Sequence, residues 1–389
     1  MMDSHIKKIS ERLKSLAKNE DLNQSILLIG QDGIGKFKLV MEIAATLLCD
    51  SLTNCGRCSG CKSVKNLQHP DFLLAFPFPK IKPESKKNTV FLFSDPVSSN
   101  ARYSDDTKDE IDNYISTRIE NPFAIVDFDK KENIPVEVIK DLILALSKKP
   151  LLGGRRVVAV INVDKMAFGA ADLFLKVVEE PPDDTHIILT TANPDQLMPT
   201  LLSRTDIIKV PPARTEDLEK YLHKNLDMPE NQVAYLARMS KGSPGLALYL
   251  SQCDLFDRRN MMFSFFEKIL TGEDLSGLIE DVISEYSGGS YLFSEIKLDF
   301  EIMESIIHDL YILNKNQLDN HLINVDIKGK LKELKVPEIE SLDVWKGYCS
   351  EVKRACLVNN VSVNSAMIFF YISCADAIDY PVKTRLKLP

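Results

Sequence analysis

Several things are missing from this sequence, and each absence excludes something. No apolar run approaches the roughly 20 residues that a membrane-spanning helix needs; the longest, around residues 366–372, is far shorter. There is no excess of positive charge, since 48 Lys and Arg stand against 56 Asp and Glu, for a net charge of −8. Proteins that wrap duplex DNA unaided show a basic face or a high pI. The acidic balance therefore argues against autonomous, tight, non-specific DNA binding, and any contact with nucleic acid is expected to be shared with partner subunits. Residues 1–8 lack the apolar core and small-residue site of a secretory signal, so the expected setting is the cytoplasm. Internal repeats and low-complexity tracts are absent too.

What remains is an ordinary globular composition, 44% hydrophobic and 27% charged, which excludes collagen-like, disulfide-stapled and wholly disordered chains. At roughly 150 residues per domain, 389 residues predict two or three domains.

Hydrophobic periodicity divides the chain. Ile6, Ile9, Leu13 and Leu16 have helical spacing, residues 25–30 form a short apolar run ending in Gly30, and helical period returns over 37–48. Apolar strands are predicted at 72–76, 155–161 and 187–191, and helices at 136–146 and 167–178, the latter stopped by Pro181 and Pro182. Strand and helix alternate, as a parallel α/β sheet requires. Residues 77–122 interrupt this pattern with five prolines and much Ser, Asn, Asp and Lys; apart from 89–93 they read as a long surface insertion, partly mobile, that is either a tolerated excursion or a partner site. After Pro211 and Pro212 everything reads as helical: 215–226, 230–240, 244–252, 257–270, 273–286, 299–314 and 341–378 in pieces. Met261, Met262, Phe265, Phe266 and Ile269 mark one apolar helix face, while 287–298 and 314–340 show no assignable pattern.

The first motif is Gly30-Gln-Asp-Gly33-Ile-Gly35-Lys36-Phe37. It follows a strand and opens a helix, the context of a phosphate-binding loop. Its glycines let backbone N–H groups turn inward, the helix N-terminus favours an anion, and Lys36 would reach the β- and γ-phosphates. The next position should offer a hydroxyl to magnesium, and Phe37 cannot. The loop is either vestigial or a weak nucleotide site. The second motif is the strand over 157–163 followed by Asp164 and Lys165. Asp164 is the expected magnesium partner; Lys165 stands where a water-polarising carboxylate belongs and cannot serve as a base at neutral pH without a large shift. Both losses predict that the chain does not hydrolyse ATP.

The third motif is Cys49-x5-Cys55-x2-Cys58-x2-Cys61, which holds four of the eight cysteines. Four thiolates at this spacing suit tetrahedral zinc in a closed structural site, favoured over a redox dithiol or an iron–sulfur cluster. Gly56 and Gly60 ease the knuckle turns. Cys253, Cys349, Cys356 and Cys374 fall in apolar helical patterns and read as core, and His69 as a loop residue bonding backbone groups. The fourth motif, Leu202-Ser203-Arg204-Thr205, presents an arginine whose planar fork suits phosphate oxygens. Arg204 is either a finger for a neighbour's ATP site or a surface arginine paired with Asp206 or another carboxylate. The fifth, Gly242-Ser-Pro-Gly245, reads as a helix cap with proline in the first turn.

In this order the motifs resemble the clamp-loader branch of the AAA+ ATPases. The likeness is carried by residues 30–36, the Cys49/55/58/61 module, His69-Pro70-Asp71, the run 173–182 ending Glu-Glu-Pro-Pro, Leu189-Thr-Thr-Ala-Asn-Pro194 and 201–205. It covers about 5–255 without the insertion. It implies an α/β RecA-like AAA+ domain (1–212) with a zinc module at 49–61, a small helical lid (213–255) and an all-α collar (256–389). It also implies partners: gamma/tau and delta subunits in a hetero-pentameric ring that places a sliding clamp on primed DNA. Among family members the likeness is to the rigid stator, in which Gly30, Gly33, Gly35, Lys36 and Asp164 form an idle loop, ATP binding is weak or absent, and Arg204 acts in trans. Gly245 stands where motor subunits carry a nucleotide-sensing arginine, and Thr205 replaces the family's cysteine. The alternatives are a gamma/tau-type motor, against which Phe37, Lys165 and Gly245 speak, and a related AAA+ protein of DNA repair.

Overall fold

The computed structural model describes residues 5–79, 105–126, 132–152, 154–272, 275–286, 293–315, 321–359 and 361–379. The expected pattern at 89–93, and the unassigned stretches 287–292 and 316–320, lie outside them. Among the described residues no helix is long and apolar enough to cross a membrane.

The first part is a parallel α/β layer structure. Helix α1 (Lys7–Lys18) buries Leu13 and Ala17. Strand β1 (Ser25–Ile29) is apolar almost throughout because neighbours cover both its faces, and α2 (Lys36–Leu47) follows directly. Next come α3 (Ser59–Lys65), β2 (Phe72–Ala75), β3 (Phe78–Pro79), α4 (Asp105–Glu120), β4 (Glu132–Asn133) and α5 (Val136–Leu146). Then follow β5 (Arg156–Val160), α6 (Ala170–Glu179), β6 (Thr185–Thr191), the single turn α7 (Pro199–Leu202) and β7 (Asp206–Lys209). Five strands form one sheet in the order β2-β5-β6-β1-β7, every pair parallel. The register runs from Ser25 opposite Ile187 to Ile29 opposite Thr191, while β3 and β4 make a separate antiparallel pair. Parallel order brings the loops after β1, β5 and β6 to one edge, where ligands of open α/β sheets bind.

The expected fold class, a parallel α/β domain followed by an all-helical chain, is what is observed. The insertion at 77–122 differs from its sequence reading at its C-terminal end. There α4 buries Ile111 and Tyr114, and the Tyr114 ring stacks on Phe76 at 3.9 Å between centroids. Ile115 and Ile119 pack against the same core, so the four apolar residues recur at helical spacing, a short stripe that the reading of this polar, proline-broken stretch as an insertion passed over. The helix expected from 167 begins later, at Ala170, because Gly169 takes φ +80° just before it.

The remaining helices are α8 (Thr215–Asn225), α9 (Glu230–Met239), α10 (Pro244–Ser251), α11 (Leu255–Thr271), α12 (Leu275–Tyr286), α13 (Phe293–Asn314), α14 (Lys328–Glu333), α15 (Ile339–Leu357) and α16 (Val363–Asp379). The chain makes two compact units, residues 1–221 with 241–249, and residues 222–240 with 250–389. Within the second, Phe266 meets Trp345 at 5.4 Å and Phe370 at 6.1 Å between centroids, and the Trp345 indole N–H donates to the Cys374 carbonyl at 2.8 Å. Met262, Phe265, Phe266 and Ile269 are buried, as are Cys349, Cys356 and Cys374; Cys253 is half-buried.

Candidate functional site

The glycine loop forms where it was expected, between β1 and α2, at the sheet edge that collects the loops after β5 and β6. Gly30 N–H donates to the Thr191 carbonyl at 3.1 Å, and Asn162 N–H to the Thr190 hydroxyl at 3.0 Å. Lys36, however, is folded back on its own loop. Its Nζ donates to the carbonyls of Gly30 at 2.5 Å and Gln31 at 3.0 Å, with Asp32 Oδ1 at 3.5 Å. Burial pushes the Lys36 ammonium below the usual lysine range, against the pull of the Asp32 carboxylate.

The space beside Lys36 is nearly full. The cavity there, lined by Phe37, Arg118, Pro122 and Asn162 among others, measures about 20 Å³, whereas small-molecule pockets run to roughly 300–1,000 Å³. The Arg118 guanidinium of α4 lies 5.1 Å from the centre of the buried Phe37 ring and 5.2 Å from that of Tyr114. A cavity of about 470 Å³ opens instead beside the cysteine module, between α2, α3 and α4.

The stretch 242–245 closes the loop from the other side. The Ser243 hydroxyl donates to the Asp32 carbonyl at 2.6 Å and accepts from Leu246 N–H at 3.2 Å, so the capping residue read from the sequence also ties α10 to the loop. Gly245 N–H donates to the Gly33 carbonyl at 2.9 Å. A Cβ at 245 would lie 1.9 Å from the Phe123 carbonyl oxygen and 2.7 Å from Gly33 Cα, so only glycine fits there.

Asp164 stays within electrostatic reach of Lys36 but does not line the cavity beside it. It sits past the end of β5, where its Oδ1 accepts from the Thr191 hydroxyl at 2.6 Å and its Oδ2 from Asn193 Nδ2 at 3.0 Å. Ile161 and Asn162, at the strand end itself, line the small cavity in its place. Lys165 pairs with Glu132.

The four cysteines of the third motif converge. Their sulfurs all lie within 4.8 Å of one another, with Cys55 and Cys61 4.0 Å apart and Cys58 and Cys49 3.9 Å apart. Tetrahedral zinc bonded to sulfur at about 2.3 Å would set neighbouring sulfurs about 3.8 Å apart, so the donor set fits one metal ion. Cys61 N–H donates to Cys58 Sγ at 3.3 Å, which caps α3. Burial opposes ionisation of Cys49, yet N–H donors from Cys55, Thr53 and Ser51 and the Ser51 hydroxyl outweigh it and bring its pKa to about 5. Burial among the other thiols pushes Cys61 up to about 12. His69 is outside this set: its Nδ1 accepts from Asp71 N–H at 3.1 Å.

Two residues that the sequence reading quoted only inside longer motifs turn out to hold specific partners. Asp71, buried, accepts from the N–H groups of Leu151 at 2.6 Å and Leu152 at 2.9 Å and faces Arg156 at 3.5 Å; its place beside His69 and Pro70 was the only signal. Glu179, at the end of α6, makes an ion pair with Arg204 (Nε to Oε1 2.7 Å), so the arginine does have a carboxylate partner, as its surface reading expected, though it is Glu179 and not Asp206; Arg204 Nη1 donates to the Thr200 carbonyl at 3.1 Å. Both side chains are about two-fifths exposed, at 38% and 39%.

A parallel sheet whose interior strand leads through a glycine loop and lysine into a helix defines a phosphate-loop domain, here with the loop filled by its own chain. Residues 6–214 match the family described as DNA polymerase III, delta subunit, and the chain belongs to that family. It is 23% identical over 320 residues to DNA polymerase III subunit delta′ of Escherichia coli, covering 80% of this chain and 76% of that one. To the delta′ subunit of Pseudomonas aeruginosa it is 27% identical over 248 residues, 63% of this chain and 60% of that one. A crystal structure of a DNA polymerase III gamma-subunit-related protein of Thermotoga maritima aligns over 94% of this chain and 98% of that one, at 17% identity and a TM-score of 0.36.

Proposed function

We propose that this chain, a clamp-loader subunit of the DNA polymerase III delta-prime kind, is the stator of its ring. It leaves ATP hydrolysis to its neighbours and lends Arg204 to the ATP site of an adjacent motor subunit. The observation that carries this reading is the state of its own loop: Lys36 donates to Gly30 and Gln31, and about 20 Å³ is left beside it. A loop in that condition has neither the room nor the free cation for triphosphate chemistry. Arg204, by contrast, stands half-exposed at the end of a single helical turn, with its guanidinium steadied on two sides.

The rest of the reading follows from the family. The partners are gamma/tau and delta subunits in a hetero-pentameric ring, and the ring meets the sliding clamp and primed DNA. Zinc is the metal of Cys49, Cys55, Cys58 and Cys61, with a structural role. The lid belongs to 213–255 and the ring-forming collar to 256–389, although residues 222–240 fold with the later helices. The test is Arg204→Ala in a reconstituted ring. Assembly should be unchanged while ATP hydrolysis slows by roughly 10³–10⁵, the scale of a finger arginine in other phosphoryl-transfer systems. A mutant ring with normal turnover refutes the trans role.

A further inference from the structure

We infer that Glu179 is a positioning residue for the trans-acting arginine: it holds the Arg204 guanidinium in the orientation in which the neighbour's γ-phosphate would meet it. The inference rests on the reading of Arg204 given above and deepens it.

Two observations point the same way. The first is the geometry of the contact. Arg204 has three side-chain nitrogens, of which Nε meets Glu179 at 2.7 Å and Nη1 meets the Thr200 carbonyl at 3.1 Å. A free arginine on a surface samples many rotamers, and each must be given up when it binds. Contacts on its two flanks, at Nε and at Nη1, remove much of that freedom in advance and leave the Nη2 end of the planar fork to face a phosphate oxygen.

The second is the cost of keeping a carboxylate at this place. Glu179 is the last residue of α6 and is followed by Glu180, Pro181 and Pro182. The C-terminus of a helix carries partial negative charge, so a carboxylate there is disfavoured, and Glu180 adds a like charge that Lys176 in the same turn offsets only in part. A half-exposed ion pair returns little stability for this. Stability of the fold therefore does not account for the pair, whereas orientation of Arg204 does.

The arrangement also predicts how the pair acts. Glu179 and the neighbour's phosphate approach the same guanidinium from different edges, so the carboxylate can stay in place while the phosphate binds. Its negative charge keeps Arg204 tethered in the absence of the neighbour. Its removal should leave assembly and ATP affinity alone and reduce only the rate, because ATP sits in the neighbour's own pocket.

The experiment is a double-mutant cycle in the assembled clamp loader, with kcat and KM for ATP as readouts and size-exclusion chromatography as the check on assembly. Glu179→Ala should lower kcat about 10–100-fold, the range seen when a residue that orients a functional group is removed, with KM unchanged. Glu179→Gln, which keeps an acceptor oxygen, should lie between. In an Arg204→Ala ring, adding Glu179→Ala should cost nothing more, because the two act as one unit. Equal slowing by Glu179→Ala in both backgrounds overturns the inference and assigns Glu179 a purely structural role. Normal turnover with Glu179→Ala, beside a slow Arg204→Ala ring, also overturns it while the reading of Arg204 stands. Normal turnover with Arg204→Ala removes both.

Discussion

The N–H of Gly245 donates to the carbonyl of Gly33 at 2.9 Å, so the start of α10 is clasped directly to the phosphate loop. Resemblance to motor subunits suggests an arginine at position 245, but the structure has no room for any side chain there, because the Phe123 carbonyl oxygen would lie 1.9 Å from a Cβ. Gly245→Arg is expected to destabilise the protein by at least about 1–3 kcal/mol, as overpacking does, and to create no nucleotide sensor. Thermal unfolding checks this; an unchanged melting temperature together with gained affinity for ATP would contradict it.

Restoring a hydroxyl should not restore nucleotide binding. In Phe37→Thr the new side chain could ligand magnesium, but Lys36 would still donate to Gly30 and Gln31 and α4 would still carry Arg118 into the site. Titration calorimetry with magnesium ATP should give a Kd weaker than about 1 mM for parent and variant alike, less than about 4 kcal/mol of binding free energy. Micromolar binding by either one is the contrary result.

Metal analysis of the purified protein should find one zinc per chain, and Cys58→Ser should abolish it. The same substitution removes the sulfur that accepts from Cys61 N–H and caps α3. Amide exchange should therefore quicken over residues 49–65 and stay slow in β1, β5 and β6, whose residues are buried in the sheet. Zinc-free native protein would reject the site, and uniform loss of protection would show that the module supports the whole domain.

In the helical unit, Arg259 meets both carboxylate oxygens of Asp326 at 2.7 Å and lies 4.5 Å from the centre of the Tyr235 ring. Both partners of the ion pair are buried. Arg259→Ala strands Asp326 and should cost about 3–5 kcal/mol, whereas replacing both by apolar residues of similar volume should cost much less. Urea unfolding followed by tryptophan fluorescence reports on this unit, which holds Trp345, the chain's single tryptophan. The same contact bears on truncation. A chain cut after residue 255 loses Arg259 and Phe256 from around the buried Tyr235, so it should expose α9 as well as lose the later helices.

Four strands of the main sheet were legible in the sequence because β1, β2, β5 and β6 are almost wholly buried and each holds at least three consecutive apolar residues. The fifth, β7, is an edge strand whose residues Asp206–Lys209 stay largely exposed, and nothing in Asp-Ile-Ile-Lys announces it. The cysteine module was legible because its ligands are local in sequence. The fate of Lys36 was not, since a lysine in a glycine loop reads the same whether it faces a phosphate or its own carbonyls. Asp164 is a related case: an acid just after an apolar strand fits the pattern, while the residues that line the cavity are Ile161 and Asn162. Arg204 stood out in its motif, but its partner Glu179 lies 25 positions earlier, at the end of another element, and only folding brings the two together.

The helix that leaves the glycine loop ends against the cysteines. Cys61 Sγ meets the Ala45 carbonyl at 3.6 Å, and Gly60 presses so closely on Leu48 that a Cβ there would lie 2.2 Å from its carbonyl oxygen. Helix α2, with 12 residues, is therefore a strut about 18 Å long, sealed at one tip by α10 and riveted at the other by the knuckle. Chelation or oxidation of the thiols would loosen the rivet, and the strut would carry that slack to the glycine loop at its opposite tip.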